Sequence, residues 1–307
     1  MGSNKIEGVR SSKQELRAAF DAVSGKSNKP TSFTGIVDGY YRILLPGKIS
    51  VEQVSDIRML YDVVILPNLN PADAPDGRLF RKSGVSVVTA TEKEKHHGIL
   101  PEADLIRFLT LSLEYLQATG YSLAAVSAFH YLFGYAHPFY DGNGRMARFL
   151  SSAFLRESLH PLIGLHISQG IANNRKAYYD AFDVCNNVRA KGDITPFILY
   201  YLSVIAQSTE GLQKDLESAN AKLKHYSEAF HKTLGKEDDE ITRGVLAALL
   251  EVTVFSDVGI SVGGIGRYAE ACDSTVYKRL QKLAALGVPI TTQKDGKKNL
   301  YRLDLAQ

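Results

Sequence analysis

A histidine, a carboxylate, a glycine-flanked asparagine and two arginines fall within twelve residues of this 307-residue chain, in the run HPFYDGNGRMAR that begins at His137. An imidazole titrates near pH 6.5 and suits removal of a proton from a hydroxyl, so His137 is a candidate general base. Gly142-Asn143-Gly144 opens a helix. The missing Cβ atoms allow close backbone approach, and the unpaired N–H groups at a helix start attract phosphate oxygens. Arg145 and Arg148, three apart, share a helix face and can both grip one polyphosphate through paired hydrogen bonds. Asp141 is a lone acid. That is enough for magnesium carried by a nucleotide, because magnesium is commonly held by one or two carboxylates plus substrate phosphates. Together these groups would let a hydroxyl lose its proton to His137 and attack a phosphorus of a bound nucleotide. Each of them alone is common in proteins without such chemistry; the weight lies in their conjunction.

These residues need a scaffold, and the pattern predicts a mostly helical one. Residues 12–22 are amphipathic, with Leu16, Ala19 and Phe20 on one face. Residues 50–66 read as a second helix with Ser50 as N-cap and Glu52 in its first turn. Pro71, Pro75 and several Asp and Asn residues make 68–77 a loop. Val85, Val87 and Val88 are strand formers before a polar stretch from 89 to 98, which predicts a short hairpin. Helices are expected over 102–119, 123–135, 144–155, 171–185 and 194–205, with Pro138 stopping the one that leads into His137. From 212 to 234, Leu212, Leu216, Ala219, Leu223, Tyr226, Phe230 and Leu234 recur at helical steps, forming a seam against the core or a second subunit. Residues 236–240 are a charged break. This divides the chain into 1–205, a connecting helix over 206–235, and a C-terminal domain over 236–307.

The C-terminal segment predicts helices over 240–252, 262–271 and 274–286, the last capped by Asp273 and ended by Gly287. Two extended runs follow, joined at Lys294-Asp295-Gly296-Lys297, a hairpin signal. Three helices and a hairpin describe a winged helix-turn-helix. From Ser261 onward eight Lys/Arg face four Asp/Glu, so this tail carries more than the chain's whole surplus of +3. Ser274, Thr275, Tyr277, Lys278, Gln281 and Lys282 on the last helix, with Lys294, Lys297 and Lys298 on the wing, are candidate DNA contacts. Winged helices also bind proteins, and the residues leave both readings open.

No apolar run reaches membrane-span length, and the N-terminus lacks a signal-peptide pattern, so a cytoplasmic protein is expected. Cys185 and Cys272 lie far apart without metal spacing and read as reduced thiols.

The run His137, Phe139, Asp141, Gly142, Asn143, Gly144, Arg145, Arg148 resembles the full signature of the Fic family. The resemblance covers roughly residues 1–205. It implies a mainly α fold with a β-hairpin flap; the winged helix-turn-helix read above from the residues follows it. It implies an AMP transferase that takes ATP, with Mg2+, and modifies a hydroxyl of a Ser, Thr or Tyr in a target protein. His137 would be the base, Phe139 a core anchor and Asp141 the metal ligand. Gly142, Asn143 and Gly144 would form an anion hole, and Arg145 and Arg148 would hold the distal phosphates. Val85, Ser86, Val87 and Val88 match the flap, which pairs edge-on with an extended target segment. Tyr178, Tyr179 and Asn186, before Gly192-Asp193, resemble the segment lining the nucleoside pocket.

Ser3-Asn4-Lys5-Ile6-Glu7-Gly8 resembles the family's inhibitory signature, in which the glutamate pairs with the second arginine, here Arg148. A homodimer is also in keeping with the family. Two alternatives stand beside AMP transfer. One is a related phosphoryl chemistry on the same scaffold, such as removal of AMP with Glu7 positioning a water. The other is a DNA-binding regulator whose core only senses nucleotide; an intact His137 and Asp141 favour the enzyme, since a sensor needs no base.

Overall fold

The computed structural model describes residues 3, 6–7, 12–25, 28–88, 94–235, 238–296 and 298–305, with the side chains of Lys13, 86–88 and 94–96 outside the description. The chain divides into two compact units, Met1–Leu212 and Gln213–Gln307.

The first unit is helical around one buried axis. Its elements are α1 (Lys13–Val23), α2 (Thr34–Ile43), α3 (Val54–Val64), a hairpin of β1 (Ser86–Val88) and β2 (Glu94–His97), then α4 (Glu102–Ala118), α5 (Leu123–Ala136), α6 (Asn143–Leu155), α7 (Pro161–Asn173) and α8 (Arg175–Asn186). Helix α6 packs against both α5 and α7. Met146, Phe149, Leu150 and Phe154 are buried on it, and so are Arg145, Arg148, Ser151 and Ser152. A helix buried on every side must satisfy its polar groups internally, so its arginines select for partners inside the fold.

Local signals explain most boundaries. Ser12 and Glu15 form a reciprocal capping box that opens α1. The expected start at Ser50 is corrected: α3 begins at Val54, because the Asp56 carboxylate collects the amides of Glu52 and Gln53. The single helix expected over 171–185 is also corrected. Asn174 leaves helical geometry and its side chain accepts from the Ala177 amide, so α7 ends and α8 begins there. Between 194 and 234 the correction runs the other way. One 40-residue helix, α9 (Thr195–Leu234), replaces the two expected. Gly211 sits inside it, and a mid-helix glycine costs only about 1 kcal/mol.

The second unit holds α10 (Glu240–Phe255), β3 (Ile260–Ser261), α11 (Val262–Tyr268), α12 (Asp273–Ala285), β4 (Ile290–Asp295) and β5 (Lys298–Leu303). Its sheet is antiparallel in the order β3-β5-β4, one strand more than the expected hairpin. Cys272, not Asp273, is the N-cap of α12. Gly287 ends that helix region with positive φ and Gly296 turns the hairpin, while Lys297 lies outside the described residues. Phe230 and Leu234 are buried in this unit's core with Val245, Leu249, Ile265 and Leu280, but Leu216 is exposed. The expected seam is therefore continuous only in its C-terminal half. Both cysteines are free thiols. Among the described residues, no helix is long and apolar enough to cross a membrane.

Candidate active site

His137 caps α5 in the left-handed region, with φ 50°. The chain turns there because Pro138 cannot continue the helix, and histidine is among the few non-glycine residues enriched in this conformation. The imidazole is half-buried, and its Nδ1 lies 3.4 Å from the Gly134 carbonyl oxygen.

The backbone around it is clamped by Arg81, which no sequence motif singles out. Arg81 is fully buried, and its guanidinium donates to the carbonyls of His137 (2.7 Å), Ser83 (2.7 Å), Ile99 (3.2 Å) and Ala136 (3.4 Å). Burial pushes its pKa down from the ordinary arginine value. The Arg81 amide donates to the Pro138 carbonyl, and the Ile99 amide to that of Ala136. Both ends of the β1–β2 hairpin are thus tied to residues 136–138. Gly98 is obligatory at this junction, since a Cβ there would lie 2.1 Å from Arg81 Nη2 and 3.0 Å from His137 Cβ. Of the flap residues, Val85 carries the bond closing the hairpin base, its carbonyl accepting from Gly98 at 3.1 Å. Ser86 and Val87 pair with His97 and His96, and a bulge follows before Val88 meets Glu94.

Phe139 is fully buried and stacks on Tyr61, with centroids 3.5 Å apart. The Tyr61 hydroxyl donates to the Asp141 carbonyl at 3.0 Å. Asn143 closes the loop on itself: its Oδ1 accepts from the Phe139 amide (2.9 Å) and its Nδ2 donates to the Phe139 carbonyl (2.8 Å). Its side chain is therefore committed to loop shape, and only its backbone N–H is available to an anion. Phe139→Ala is expected to destabilise the fold by about 3–5 kcal/mol, read as a lowered denaturant midpoint, because a stacked buried ring leaves a cavity that cannot collapse.

Gly142 has φ +79°, and a Cβ there would lie 2.5 Å from Ile65 Cγ2. Its amide donates to the Asp141 carboxylate. Of the three amides expected to form the anion hole, the Gly142 N–H faces the Asp141 carboxylate here. The amides of Asn143, Gly144 and Arg145 open α6 and have no intrahelical acceptor. Asp141 also accepts from Arg145 Nη2 at 3.3 Å, with its own side chain about half exposed. Arg145 Nε and Arg148 Nη1 are buried without a hydrogen-bond partner. Unsatisfied buried guanidinium donors beside open helix amides are what a phosphate would complete.

Arg148 meets the N-terminal segment. Its Nε donates to Ser3 Oγ (3.0 Å), and its Nη2 donates to the Ser3 carbonyl (3.1 Å) and to Glu7 Oε1 (2.8 Å). Burial is the largest single influence and works against the charge of Arg148, but Glu7 together with Tyr178 and Tyr40 offsets it, and the guanidinium pKa lies above its ordinary value. Glu7 also lies over the start of α6: a Cβ on Gly144 would be 2.3 Å from its Oε1. Ile6, wholly buried, fixes this segment in the core. Asn4, Lys5 and Gly8 of the motif lie outside the described residues.

The expected nucleoside-pocket residues divide. Tyr179 is half-buried, with Arg175 over its ring at 5.5 Å. Tyr178 is buried, and its hydroxyl lies 2.8 Å from His130 Nε2. Asn186 accepts from the Tyr131 hydroxyl at 2.7 Å. Tyr178 and Asn186 are thus tied to α5 rather than open to a ligand. His130 also lies 2.8 Å from Ser151 Oγ, completing a buried Ser151–His130–Tyr178 chain beside the motif helix. Burial, and then the charge of Arg148, lower the His130 pKa to about 3. The unfolded chain takes up a proton near pH 6.5 and the folded one does not, so stability is full above pH 6.5 and falls as pH drops towards 3. Between pH 7 and 5 this site is expected to cost about 2 kcal/mol. Unfolding curves at both pH values check it, with His130→Gln losing that part of the pH dependence.

Asp141 suits magnesium as a lone, half-exposed carboxylate next to the amides that would seat phosphates. Among the described residues no group of three or more His, Cys, Asp or Glu side chains placed to hold a metal occurs.

A helical core carrying this loop, flap and arginine pair defines a Fic fold. Residues 53–155 match the sequence model of the Fic/DOC family. The chain is 26% identical over 253 residues to the protein adenylyltransferase fic-1 of Caenorhabditis elegans, covering 79% of this chain and 45% of that one. It is 37% identical over 81 residues to the protein adenylyltransferase Fic of Nematostella vectensis, covering 26% and 16%. The chain spans less than half the length of these curated relatives. A crystal structure of a Fic family protein from Desulfovibrio desulfuricans G20 superposes with a TM-score of 0.58 at 19% identity, over 100% of this chain and 85% of that one, which fixes the fold.

Proposed function

We propose that this protein transfers AMP from ATP to a hydroxyl side chain of a target protein. The observation that carries this reading is the pair of unsatisfied buried donors, Arg145 Nε and Arg148 Nη1, next to the open amides of Asn143, Gly144 and Arg145. They suit a triphosphate better than any neutral ligand. In this reading Arg145 and Arg148 bind its distal phosphates and His137 faces its α-phosphorus. The target hydroxyl gives its proton to the His137 imidazole, its oxygen bonds to the α-phosphorus, and pyrophosphate leaves. Magnesium held by Asp141 would neutralise phosphate charge. The flap strand Val85–Val88 offers backbone groups to an extended target segment, registering its hydroxyl. The names of the relatives, protein adenylyltransferase, support the same activity.

Glu7 acts as an internal inhibitor in this account. Its carboxylate occupies the Arg148 donor meant for the γ-phosphate and lies against Gly144 at the phosphate seat. The test of the activity is positional labelling. Glu7→Gly incubated with a lysate and ATP should transfer label from the α-phosphate and none from the γ-phosphate. Transfer of γ-label would make it a kinase and end this reading.

For the second unit we propose a winged helix-turn-helix that engages DNA phosphates through α12 and the β4–β5 wing. Ser274, Lys278, Gln281, Lys294 and Lys298 are all exposed. A gel shift with random-sequence duplex should weaken steeply as salt rises from about 50 to 200 mM. A shift indifferent to salt, or none at low salt, would turn this unit into a protein-binding module.

A further inference from the structure

Residues 76–83 lead into the flap, and they are tied to the turn at 136–140 by two side chains. The Arg81 guanidinium donates on one side to the Ala136 and His137 carbonyls, and on the other to those of Ser83 and Ile99, just outside the hairpin strands. Tyr140 makes the second tie. Its hydroxyl accepts from the Ser83 amide at 3.2 Å and donates to the Asp76 carboxylate at 2.8 Å. Asp76 also accepts from the Lys82 amide at 2.9 Å, which closes the segment on itself.

A guanidinium buried against neutral carbonyls is a costly way to join two segments, because no opposite charge offsets its desolvation. What it offers over an apolar plug is a planar fork with fixed donor directions, which sets the spacing of the backbones it joins. The loop does not need that fork to keep its shape. The Asn143 side chain closes on Phe139, and Phe139 stacks on Tyr61. The hairpin depends far more on outside ties. Its strands are only three and four residues long, and a two-stranded hairpin is marginal by itself. Losing the fork therefore shifts the flap and leaves the imidazole in place.

We propose that Arg81, assisted by Tyr140, is a positioning residue for transfer to protein: it holds the flap edge at a fixed distance from His137, so that a hydroxyl on a target segment paired with that edge reaches the imidazole. Water needs no flap. A water that gives its proton to His137 and bonds to the α-phosphorus releases AMP and pyrophosphate wherever the flap lies. Arg81 thus governs which acceptor the bound nucleotide meets, and not whether the base works. This inference rests on the AMP-transfer reading; the clamp between flap and loop does not.

The test compares the two acceptors in the Glu7→Gly background, with α-labelled ATP and magnesium. Label in lysate proteins reads transfer, and AMP released by the purified protein alone reads attack by water. Arg81→Gln and Arg81→Lys should each cut protein labelling by about 10–100-fold, the effect of a small misplacement of the reacting group, with AMP release within about twofold of the parent. Lysine should not rescue, since a single ammonium cannot reproduce the fork. Tyr140→Phe, which removes only a hydroxyl, should lower labelling several-fold with AMP release unchanged. Should the Arg81 variants fail to fold, Tyr140→Phe decides by the same split. Labelling and AMP release falling in proportion, or labelling at the parental level, overturns the proposal. Hydrogen exchange reads the clamp without nucleotide. In Arg81→Gln the Gly98 and Ile99 amides, which donate to the Val85 and Ala136 carbonyls, should exchange roughly tenfold faster, and the Phe139 amide, held by Asn143, should not change. Unchanged exchange at Gly98 and Ile99 overturns the clamp. A Glu7→Gly parent that labels no protein overturns the AMP-transfer reading and the positioning role with it, while the exchange result still decides the clamp.

Discussion

His137→Ala, made in the Glu7→Gly background, is expected to cut transfer of α-label by about 10²–10⁴-fold, the usual contribution of a positioned general base. ATP affinity measured by calorimetry should stay within a few-fold, because the phosphate seat proposed here consists of the amides of 143–145 and the two arginines. The loop should also keep its shape. What Arg81 grips at position 137 is a carbonyl, at 2.7 Å, and alanine has the same carbonyl. Phe139 and Asn143 close the loop through their own contacts. The loss is therefore chemical. Full labelling by the histidine-free variant would remove the imidazole from the reaction.

The second large effect is a gain. Glu7→Gly is expected to raise self-labelling or labelling of a lysate by about 10–100-fold, the worth of a charge-assisted hydrogen bond in a buried setting. The geometry gives three reasons. The substitution frees the Arg148 Nη2 donor that Glu7 holds at 2.8 Å. It removes a carboxylate from the space against Gly144. It leaves Ile6, the apolar anchor of the segment, in place. Glu7→Gln separates charge from bulk: the amide still fills the space but repels no phosphate, so its labelling should lie between the two. If Glu7→Gly labels no better than wild type, the 2.8 Å pair is a structural contact and not a brake.

The 137–148 loop was legible because its chemistry is local. Gly142 and the residues around it sit at positions where helix-start geometry is dictated by neighbours in sequence. The Glu7–Arg148 pair spans 141 residues and was reachable only through resemblance to a family signature. Arg81 was not legible at all. Its partners are four main-chain carbonyls from three segments, at Ser83, Ile99 and Ala136–His137, and a carbonyl leaves no mark in a sequence. His130 was hidden for a different reason: a lone histidine on an apolar helix ordinarily reads as a satisfied core residue, and its links to Ser151 and Tyr178 depend on how α6 and α8 pack on α5. Asn143 shows the limit of reading roles from residue type. Its place in the anion-hole triplet says nothing of its side chain, whose two polar atoms close the loop on Phe139. Helix boundaries failed where a side chain other than the expected one took the cap, as Asp56 did with the Glu52 and Gln53 amides.

The most direct measurement is a crystal structure of Glu7→Gly with magnesium and a non-hydrolysable ATP analogue. The triphosphate should lie on the amides of Asn143, Gly144 and Arg145, with Arg145 and Arg148 on its distal oxygens and the His137 ring facing the α-phosphorus. A nucleotide seated elsewhere, or an α-phosphorus turned away from His137, would contradict the account.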